Sequence, residues 1–243
     1  MNRRNTAFAV DRAVMLERLD SDLLRYIVER DVQPGERLPA LEDLGRQLGV
    51  SVGKLREQLE VARDLGIVDV RPRVGVTVRD YSFLPAVRWS LLFALARGHA
   101  DFDSFSNLRN HVEFAYFFEA VATLTDVEHA RLRDIVRAAW AKLRASPIRI
   151  PQVEHRELHM TMFSRLGNPF VAGLLEAYWD AYEAIGLSMY SDYEYLREVW
   201  RYHEGIVENI ISGDRDEAYR LLVAHTPLLQ HRADLSQLQD REK

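Results

Sequence analysis

Cysteine is absent from the 243-residue chain, so disulfides and thiolate metal sites are excluded. The chain also lacks an uncharged apolar run of about 18 residues, the length that a membrane-spanning helix needs. Its first residues include arginines but not the apolar stretch of a secretory signal. We therefore expect a cytoplasmic globular protein without membrane contact, with short tails over residues 1–10 and 236–243.

An excess of basic residues is missing as well, since 32 Lys and Arg stand against 37 Asp and Glu, a net charge of −5. This balance argues at first against a nucleic-acid partner. Residues 1–80, however, carry equal numbers of basic and acidic side chains, so the acidic excess lies entirely in the remainder. Phosphate affinity must then come from local clusters, such as Lys54 with Arg56, or Arg71 with Arg73.

Residues 38–68 have the pattern of two helices joined by a tight turn. Leucines recur at helical spacing up to Leu48, Gly49 interrupts the pattern, and Ser51 is a suitable N-cap for a second helix. Gly66 is placed to end that helix. A short helix, a glycine-containing turn and a longer helix are typical of the helix-turn-helix, whose second helix enters the DNA major groove.

Two short β-prone runs follow, over residues 67–70 and 74–78, separated by Arg71-Pro72-Arg73. A hairpin with basic residues near its tip, directly after a recognition helix, is a wing. Ahead of the helix-turn-helix, the apolar spacing predicts one helix over residues 11–30. This region therefore has the organisation of a winged helix-turn-helix.

The domain layout follows from these patterns. The winged helix-turn-helix domain is expected over residues 11–80, and a linker with a connecting helix over residues 81–100. Residues 101–235 show only helical periods, punctuated by a capping box that begins at Thr125 and an N-cap at Asn168. The predicted fold is mainly α, with a small β-wing in the first domain and an all-α bundle of about six helices in the second.

Four histidines of the bundle lie on apolar helical stripes. His155 and His159 are one turn apart on a single helix, while His203 and His225 belong to two later helices. A single buried histidine is usually a core residue with a hydrogen-bond partner. Imidazoles converging from three helices are costly without partners, and a divalent metal such as zinc or nickel would satisfy them together. We therefore predict a metal site at these four histidines.

Several segments of the first domain resemble the winged helix of the GntR family of bacterial regulators. They are Pro34-Gly35-Glu36-Arg37-Leu38-Pro39, Leu44 through Gly49-Val50-Ser51, Leu55-Arg56-Glu57 and Leu65-Gly66-Ile67-Val68. Double-stranded operator DNA is then the expected partner. The predicted contacts are Arg37, Ser51, Gly53, Lys54, Arg56, Arg71, Arg73 and Gly75. Glu42 and Val52 stand where the family has operator-contacting arginines, so the family's usual operator is not implied.

The second domain resembles the FadR-type ligand-binding domain of that family, called FCD. Arg109-x-x-x-Glu113, His159, His203, the Gly213-Asp214 pair and His225 follow in the order of that domain. The resemblance implies a homodimeric transcription factor whose operator affinity is controlled by a small metabolite, often a carboxylic acid. In FCD domains an aspartate and three histidines bind a metal.

Two details of the implied site stay open. The family's aspartate position is His155 here, with Glu154 a less suitable substitute because it lies about 100° around the helix. Arg109 is implied to contact the effector carboxylate, and an ion pair with Glu113 at i+4 is an equal alternative.

The predicted function is a DNA-binding transcriptional regulator, which we expect to be a repressor and not an enzyme. A metal-dependent enzyme built on the histidines is an alternative, although no general base stands beside them. Glu157 differs from the glutamate of the HExxH motif, because it is midway between His155 and His159 and points away from their shared face. An interaction module that has lost DNA specificity is the other alternative, suggested by Glu42 and Val52.

Overall fold

The computed structural model describes residues 11–185 and 193–226, and the chain divides into two compact units that part between Pro85 and Ala86. The first unit contains α1 (Arg12–Arg18), α2 (Asp22–Glu29), α3 (Leu41–Leu48), α4 (Val52–Asp64), β1 (Val68–Arg71) and β2 (Gly75–Val78). Then follow α5 (Leu84–Ala96), α6 (Phe102–Ala122), α7 (Asp126–Leu143), α8 (Gln152–Met162), α9 (Pro169–Ala184), α10 (Tyr193–Ser212) and α11, described over residues 215–226. Across the described ranges, none of these helices is long and apolar enough to cross a membrane.

The single helix predicted over residues 11–30 is wrong, because α1 and α2 stand in its place. Leu19 is extended, with φ −77° and ψ 99°, and ends α1. The Ser21 hydroxyl accepts a hydrogen bond from the Leu24 N–H at 3.2 Å and so starts a new helix. No side chain of α1 is buried, so no packing holds it in line with α2.

The predicted helix-turn-helix and wing are confirmed. Gly49 ends α3 in the left-handed conformation, with φ +67°, and Ser51 caps α4 by accepting from the Lys54 backbone N–H at 3.2 Å. Strands β1 and β2 pair antiparallel, with Val68 opposite Val78. Buried side chains from α2, α3, α4 and the wing form one core: Leu23, Ile27, Leu38, Leu44, Leu55, Leu59, Ala62, Val68 and Val78.

The second unit is the predicted all-α bundle. Among the described residues it consists of six helices, α6 to α11, preceded by α5; α7 packs against α8 and α10, and α9 against α6 and α8. The capping box at Thr125 and the Asn168 N-cap are both present. The sequence pattern predicts that two helices end near Tyr190 and His231, and both positions lie outside the described residues. The largest part of the core is apolar: Phe117, Leu132, Leu143, Leu158, Met162, Leu175, Trp200, Ile206 and Leu222.

Candidate metal centre and nucleic-acid interface

The four predicted histidines come together inside the bundle. His155 and His159 project from α8, His203 from α10 and His225 from α11, and His159 and His203 have no exposed surface. One ligand nitrogen from each of His155, His159 and His203 lies within 4.8 Å of the other two. The ring centroid of His225 is 5.1 Å from that of His203 and 5.8 Å from that of His159. The arrangement is thus a triad with a fourth imidazole packed against it.

The closest contact in the triad suits a shared metal ion. The Nε2 atoms of His159 and His203 are 3.3 Å apart. Two imidazole nitrogens bound tetrahedrally to zinc at 2.0–2.1 Å are separated by about 3.3–3.4 Å. In the metal-free chain the same separation permits an N–H···N hydrogen bond between the two rings. These residues can therefore hold a divalent metal.

A buried carboxylate orients one of the rings. The Nδ1 of His159 is 3.1 Å from Glu113 Oε1, and both side chains are buried. When Nδ1–H donates to this carboxylate, the Nε2 lone pair is left for a metal. His225 is oriented in the same sense, because its Nδ1 contacts the Leu222 carbonyl and its Nε2 has no hydrogen-bond partner among the described residues. Glu113 was recognised in the sequence only as a possible partner of Arg109.

Arg109 forms the predicted ion pair with Glu113. Its Nη2 is 2.9 Å from Glu113 Oε1, and its Nη1 donates to Asn110 Oδ1 at 3.1 Å. The guanidinium also lies over aromatic rings, 4.7 Å from the Tyr178 centroid and 5.5 Å from that of Trp179. Only 2% of Arg109 is exposed, so this is a desolvated cation beside the histidines.

Burial favours the neutral form of three of the imidazoles. Desolvation lowers the pKa of His159 and of His203 well below the ordinary value, and it lowers the pKa of His225 to about 4. The charge of Arg109 contributes to each of these shifts. Desolvation raises the pKa of Glu113, and the neighbouring Arg109 opposes that rise. Neutral imidazoles are the form that binds metals, so the cluster is prepared for an ion at neutral pH.

Several buried polar atoms around the cluster have no hydrogen-bond partner within the described ranges. They are Arg109 Nε, Trp179 Nε1, His203 Nδ1 and His225 Nε2. A buried donor or acceptor without a partner costs free energy, about 1–3 kcal/mol for a neutral group. A metal bound at His203 Nε2 would also engage His225 Nε2, and an anion would engage the N–H groups.

Glu154 does not belong to the cluster. Its carboxylate is 2.7 Å from Lys142 Nζ, on the neighbouring helix α7. The two candidates for the family's aspartate position are His155 and Glu154. Of these, His155 lies beside the other ligand nitrogens. The His155 ring also packs edge-on against Trp179, at a centroid distance of 4.8 Å.

The residues predicted to contact DNA fall into two groups. Arg37, Arg56 and Arg73 are exposed and form no ion pair with a described carboxylate. Lys54 and Arg71 are already paired: Lys54 Nζ is 2.8 Å from Asp22 Oδ2, and Arg71 Nε is 2.6 Å from Asp69 Oδ2. The exposed guanidinium groups lie on α4, at the wing tip and just before the helix-turn-helix.

The two glycines of this predicted set have different surroundings. Gly53 is exposed on the first turn of α4, and a Cβ added there would have Ser51 Oγ as its nearest neighbour, at 3.9 Å. Gly75 has φ +93°, and a Cβ there would lie 2.8 Å from Arg37 Nε. Gly75 thus lets Arg37 lie against the start of β2, a relationship between distant residues that the sequence does not reveal. Ser51 is exposed, at the N-terminus of α4.

Comparison with known proteins places both units. Two family models match: "FCD domain" over residues 105–227 and "Bacterial regulatory proteins, gntR family" over residues 16–78. The uncharacterized HTH-type transcriptional regulator YieP of Escherichia coli (strain K12) is 26% identical over 206 residues, which cover 83% of this chain and 88% of that protein. The HTH-type transcriptional regulator Rv0494 of Mycobacterium tuberculosis (strain ATCC 25618 / H37Rv), also uncharacterized, is 32% identical over 80 residues, 33% of each chain.

A solved structure supports the fold. Streptococcus agalactiae GntR has a TM-score of 0.63 and 19% identity, and the match covers 90% of this chain and 98% of that chain. The family models together account for the winged helix-turn-helix and for the helical bundle that carries the histidines. The chain therefore belongs to the gntR family of bacterial regulatory proteins, in the FadR-type branch with an FCD domain, and is a DNA-binding transcriptional regulator rather than an enzyme.

Proposed function

We propose that this regulator binds its operator as a homodimer and that a small carboxylate, bound beside a histidine-held divalent metal, controls its operator affinity. One observation carries the proposal: a buried histidine triad, with ligand nitrogens within 4.8 Å of one another, shares Glu113 with a buried arginine. We expect the protein to act as a repressor in the cytoplasm, where bacterial operators are found.

The metal would be held by His155, His159 and His203, with His225 as the fourth donor. An all-nitrogen set suits zinc or nickel, since imidazole favours borderline metals over magnesium or calcium. When bound, such an ion supplies positive charge that attracts a carboxylate oxygen. Because these donors are neutral, the protein leaves that charge for an anion to balance.

Arg109 would bind and orient the effector carboxylate. Its guanidinium is desolvated, its Nε has no hydrogen-bond partner among the described residues, and Glu113 with Asn110 holds its other end. A planar guanidinium fork matches a carboxylate, and a buried charge-assisted hydrogen bond is stronger than an exposed one. If the contact with Arg109 is stronger in one of two conformational states of the regulator, the effector would favour that state and so change operator affinity.

On the DNA side, Arg56 would contact bases from α4. The DNA would also approach the protein backbone closely at Ser51 and Gly53, at the N-terminus of α4. Arg37, Arg71 and Arg73, with Gly75, would hold phosphates near the wing. A dimer would present two such units to half-sites one helical turn apart, about 34–36 Å.

Selection of genomic fragments tests the DNA part. We expect salt-sensitive enrichment by the wild type and its loss in Arg56→Ala. Arg46→Ala is the matched control, because Arg46 is an exposed arginine of α3 that pairs with Asp43. Fragments enriched equally by all three proteins would refute the assignment of base contacts to Arg56.

Metal analysis tests the histidine site. After dialysis against zinc or nickel, the wild type should retain one ion per chain and the double variant His159→Gln/His203→Gln none. His111→Gln replaces an exposed histidine of α6 and should leave the metal content unchanged. Equal metal in all three proteins would exclude the site.

A thermal-shift screen of mono-, di- and tricarboxylates on the metal-loaded protein tests the effector part. A carboxylate that raises Tm in the wild type should lose most of that effect in Arg109→Lys, which keeps the charge but not the fork. An unchanged shift would remove Arg109 from the effector site.

A further inference from the structure

A polar network joins α2 to the recognition helix α4. Asp22 Oδ2 is 2.8 Å from Lys54 Nζ and 3.0 Å from Gln58 Nε2. The other carboxylate oxygen of Asp22 is 2.6 Å from Arg25 Nη2, on the helix that carries Asp22 itself. Gln58 Oε1 accepts a hydrogen bond from the Leu23 backbone N–H at 3.0 Å. One glutamine amide of α4 thus binds two groups in the first turn of α2.

Each of these contacts satisfies a group that needs a partner. The Leu23 N–H belongs to the first turn of α2, where backbone donors have no acceptor within the helix. The Asp22 side chain is only 15% exposed, and Lys54, followed by Gln58, holds the pKa of its carboxyl well below the usual range. The Asp22 carboxylate is therefore ionised at any pH at which DNA binding is measured. We call Asp22, Lys54 and Gln58 the α2–α4 brace.

The brace lies on the face of α4 opposite Arg56. Lys54 and Gln58 are one turn apart and point toward α2, whereas Arg56 is two residues from each, about 200° around the helix. Arg56 is exposed, and the core residues Leu55 and Leu59 lie between the two faces. The brace therefore restrains the rotation and tilt of α4 from the side opposite Arg56, although 55% of the Lys54 side chain is exposed.

We propose that Asp22 and Gln58 are positioning residues for operator recognition, and that Lys54 contributes through this brace and not through a DNA phosphate. The proposal rests on the operator binding assigned to α4. With Glu42 and Val52 in place of two family arginines, recognition depends on the placement of few side chains, so the orientation of α4 has a direct effect on specificity. A phosphate contact, by contrast, carries no sequence information.

The test compares two duplexes, one recovered from a randomised library by the wild type and one of unrelated sequence. The variants are Lys54→Met, Gln58→Ala and Asp22→Asn. The fraction of each protein that is able to bind DNA is determined by stoichiometric titration, and affinities refer to that fraction. We expect affinity for the selected duplex to fall about threefold to tenfold in each variant, as for the loss of one or two hydrogen bonds. Affinity for the unrelated duplex should stay unchanged, so the specificity ratio falls.

Salt dependence separates the brace from a phosphate contact. Loss of a phosphate contact makes the negative slope of log K against log salt less steep by about 0.9. We expect an unchanged slope in Lys54→Met and Gln58→Ala, and a flatter slope in Arg73→Met. Asp43→Asn, which removes an equal charge from α3, is the control for Asp22→Asn and should not weaken binding to the selected duplex.

Two results overturn the proposal. One is a slope of log K against log salt that becomes less steep by about 0.9 in Lys54→Met, together with equal losses of affinity for both duplexes. The other is tighter binding by Asp22→Asn, which would show that Asp22 withholds Lys54 from DNA. A wild type that does not distinguish the two duplexes would instead contradict the proposed operator binding, so the two failures are distinguishable.

Discussion

His159 illustrates, at the scale of single residues, how a partner from elsewhere in the chain sets the chemistry of a side chain. Its position on an inward stripe of α8 follows from spacing, but Glu113, 46 residues earlier, determines which ring nitrogen keeps its proton. A carboxylate behind a ligating histidine fixes the ring and raises its basicity. In the proposed site Glu113 would therefore act on a bound metal through His159.

Glu113→Gln should weaken zinc binding about tenfold to hundredfold, because the neutral amide fixes the His159 ring less firmly. Competition with a chromophoric chelator measures that loss. In the metal-free protein, ¹⁵N chemical shifts of the His159 ring should report the Nδ1–H form in the wild type and a mixture in the variant. Glu119→Gln changes an exposed glutamate of the same helix and should alter neither measurement. Unchanged zinc affinity in Glu113→Gln would contradict this role.

Gly53→Ala should weaken DNA binding without loss of stability. The added methyl group makes only an ordinary contact with Ser51 Oγ, at 3.9 Å, and alanine is the better helix former, so the free energy of unfolding should stay equal or rise by less than about 1 kcal/mol. DNA that approaches the backbone at Ser51 and Gly53 would clash with the methyl group. Fluorescence anisotropy with a selected duplex measures the expected loss of DNA binding, and thermal unfolding measures the expected stability. Unimpaired binding would place the DNA elsewhere.

At the scale of elements, the helix-turn-helix depends on a glycine that the sequence did not single out. Gly45 is buried in α3, and a Cβ there would lie 2.9 Å from the Val50 carbonyl oxygen in the turn. The Val50 N–H in turn bonds to the Gly45 carbonyl at 3.2 Å. The turn can therefore fold back on α3 only because position 45 has no side chain.

Gly45→Ala should destabilise the first unit by about 1–3 kcal/mol, since overpacking against backbone outweighs the helix propensity gained. The transition of that unit in calorimetry should shift to lower temperature, and DNA affinity should fall with it. Gly53→Ala is the matched control for stability, because the same substitution there makes only an ordinary contact with Ser51 Oγ, at 3.9 Å. A Tm for Gly45→Ala at or above that of the wild type would show that the turn relaxes without cost.

At the scale of the whole molecule, the two units differ in where they carry notable charged side chains: on the surface of the first and in the core of the second. The first holds exposed arginines on α4 and the wing, which are side chains suited to contacts with DNA bases and phosphates. The second encloses imidazoles, a carboxylate and a guanidinium in its core, so we expect its stability to depend on pH and, if the proposed site is occupied, on the metal. A regulator needs both properties, because one unit must bind DNA while the other senses a ligand.

The metal-free protein should lose stability as pH falls from about 6.5 to 4. The His225 pKa is about 4 when folded, against about 6.5 in an unfolded chain, so the unfolded state binds more protons between these values. The contribution of His225 to the free energy of unfolding is then fully present above pH 6.5. It falls by on the order of 3 kcal/mol toward pH 4. The lowered pKa values of His159 and His203 act in the same direction, whereas the raised pKa of Glu113 acts in the opposite direction.

Urea unfolding of the chelated protein across this range measures the effect. His225→Gln should flatten the dependence, whereas the exposed His99→Asn should not. Added zinc or nickel should raise stability at pH 7 and lose that effect in acid, because protons compete for the same nitrogens. A pH dependence of stability that is the same in His225→Gln as in the wild type would contradict the burial argument.

Periodicity and capping residues alone determined the winged helix-turn-helix, the helical bundle and the inward stripes of His155, His159, His203 and His225. These features are local: a cap or an apolar stripe acts within a few residues, so neighbouring positions suffice to predict it. The split between α1 and α2 was missed because the apolar spacing continued through Ser21. Its capping hydroxyl was the available signal.

Tertiary structure alone decided which polar groups meet. Spacing fixes the side of a helix on which a residue lies, but not the partner that the packed neighbour brings to it. Glu113 behind His159, Lys142 on Glu154 and Asp22 on Lys54 are such pairs, each between different helices. Buried polar groups must find partners when helices pack, and those partners depend on interhelical distances that no single helix encodes. The sequence therefore placed the histidines and the DNA-binding helix, while packing determined which side chains position them.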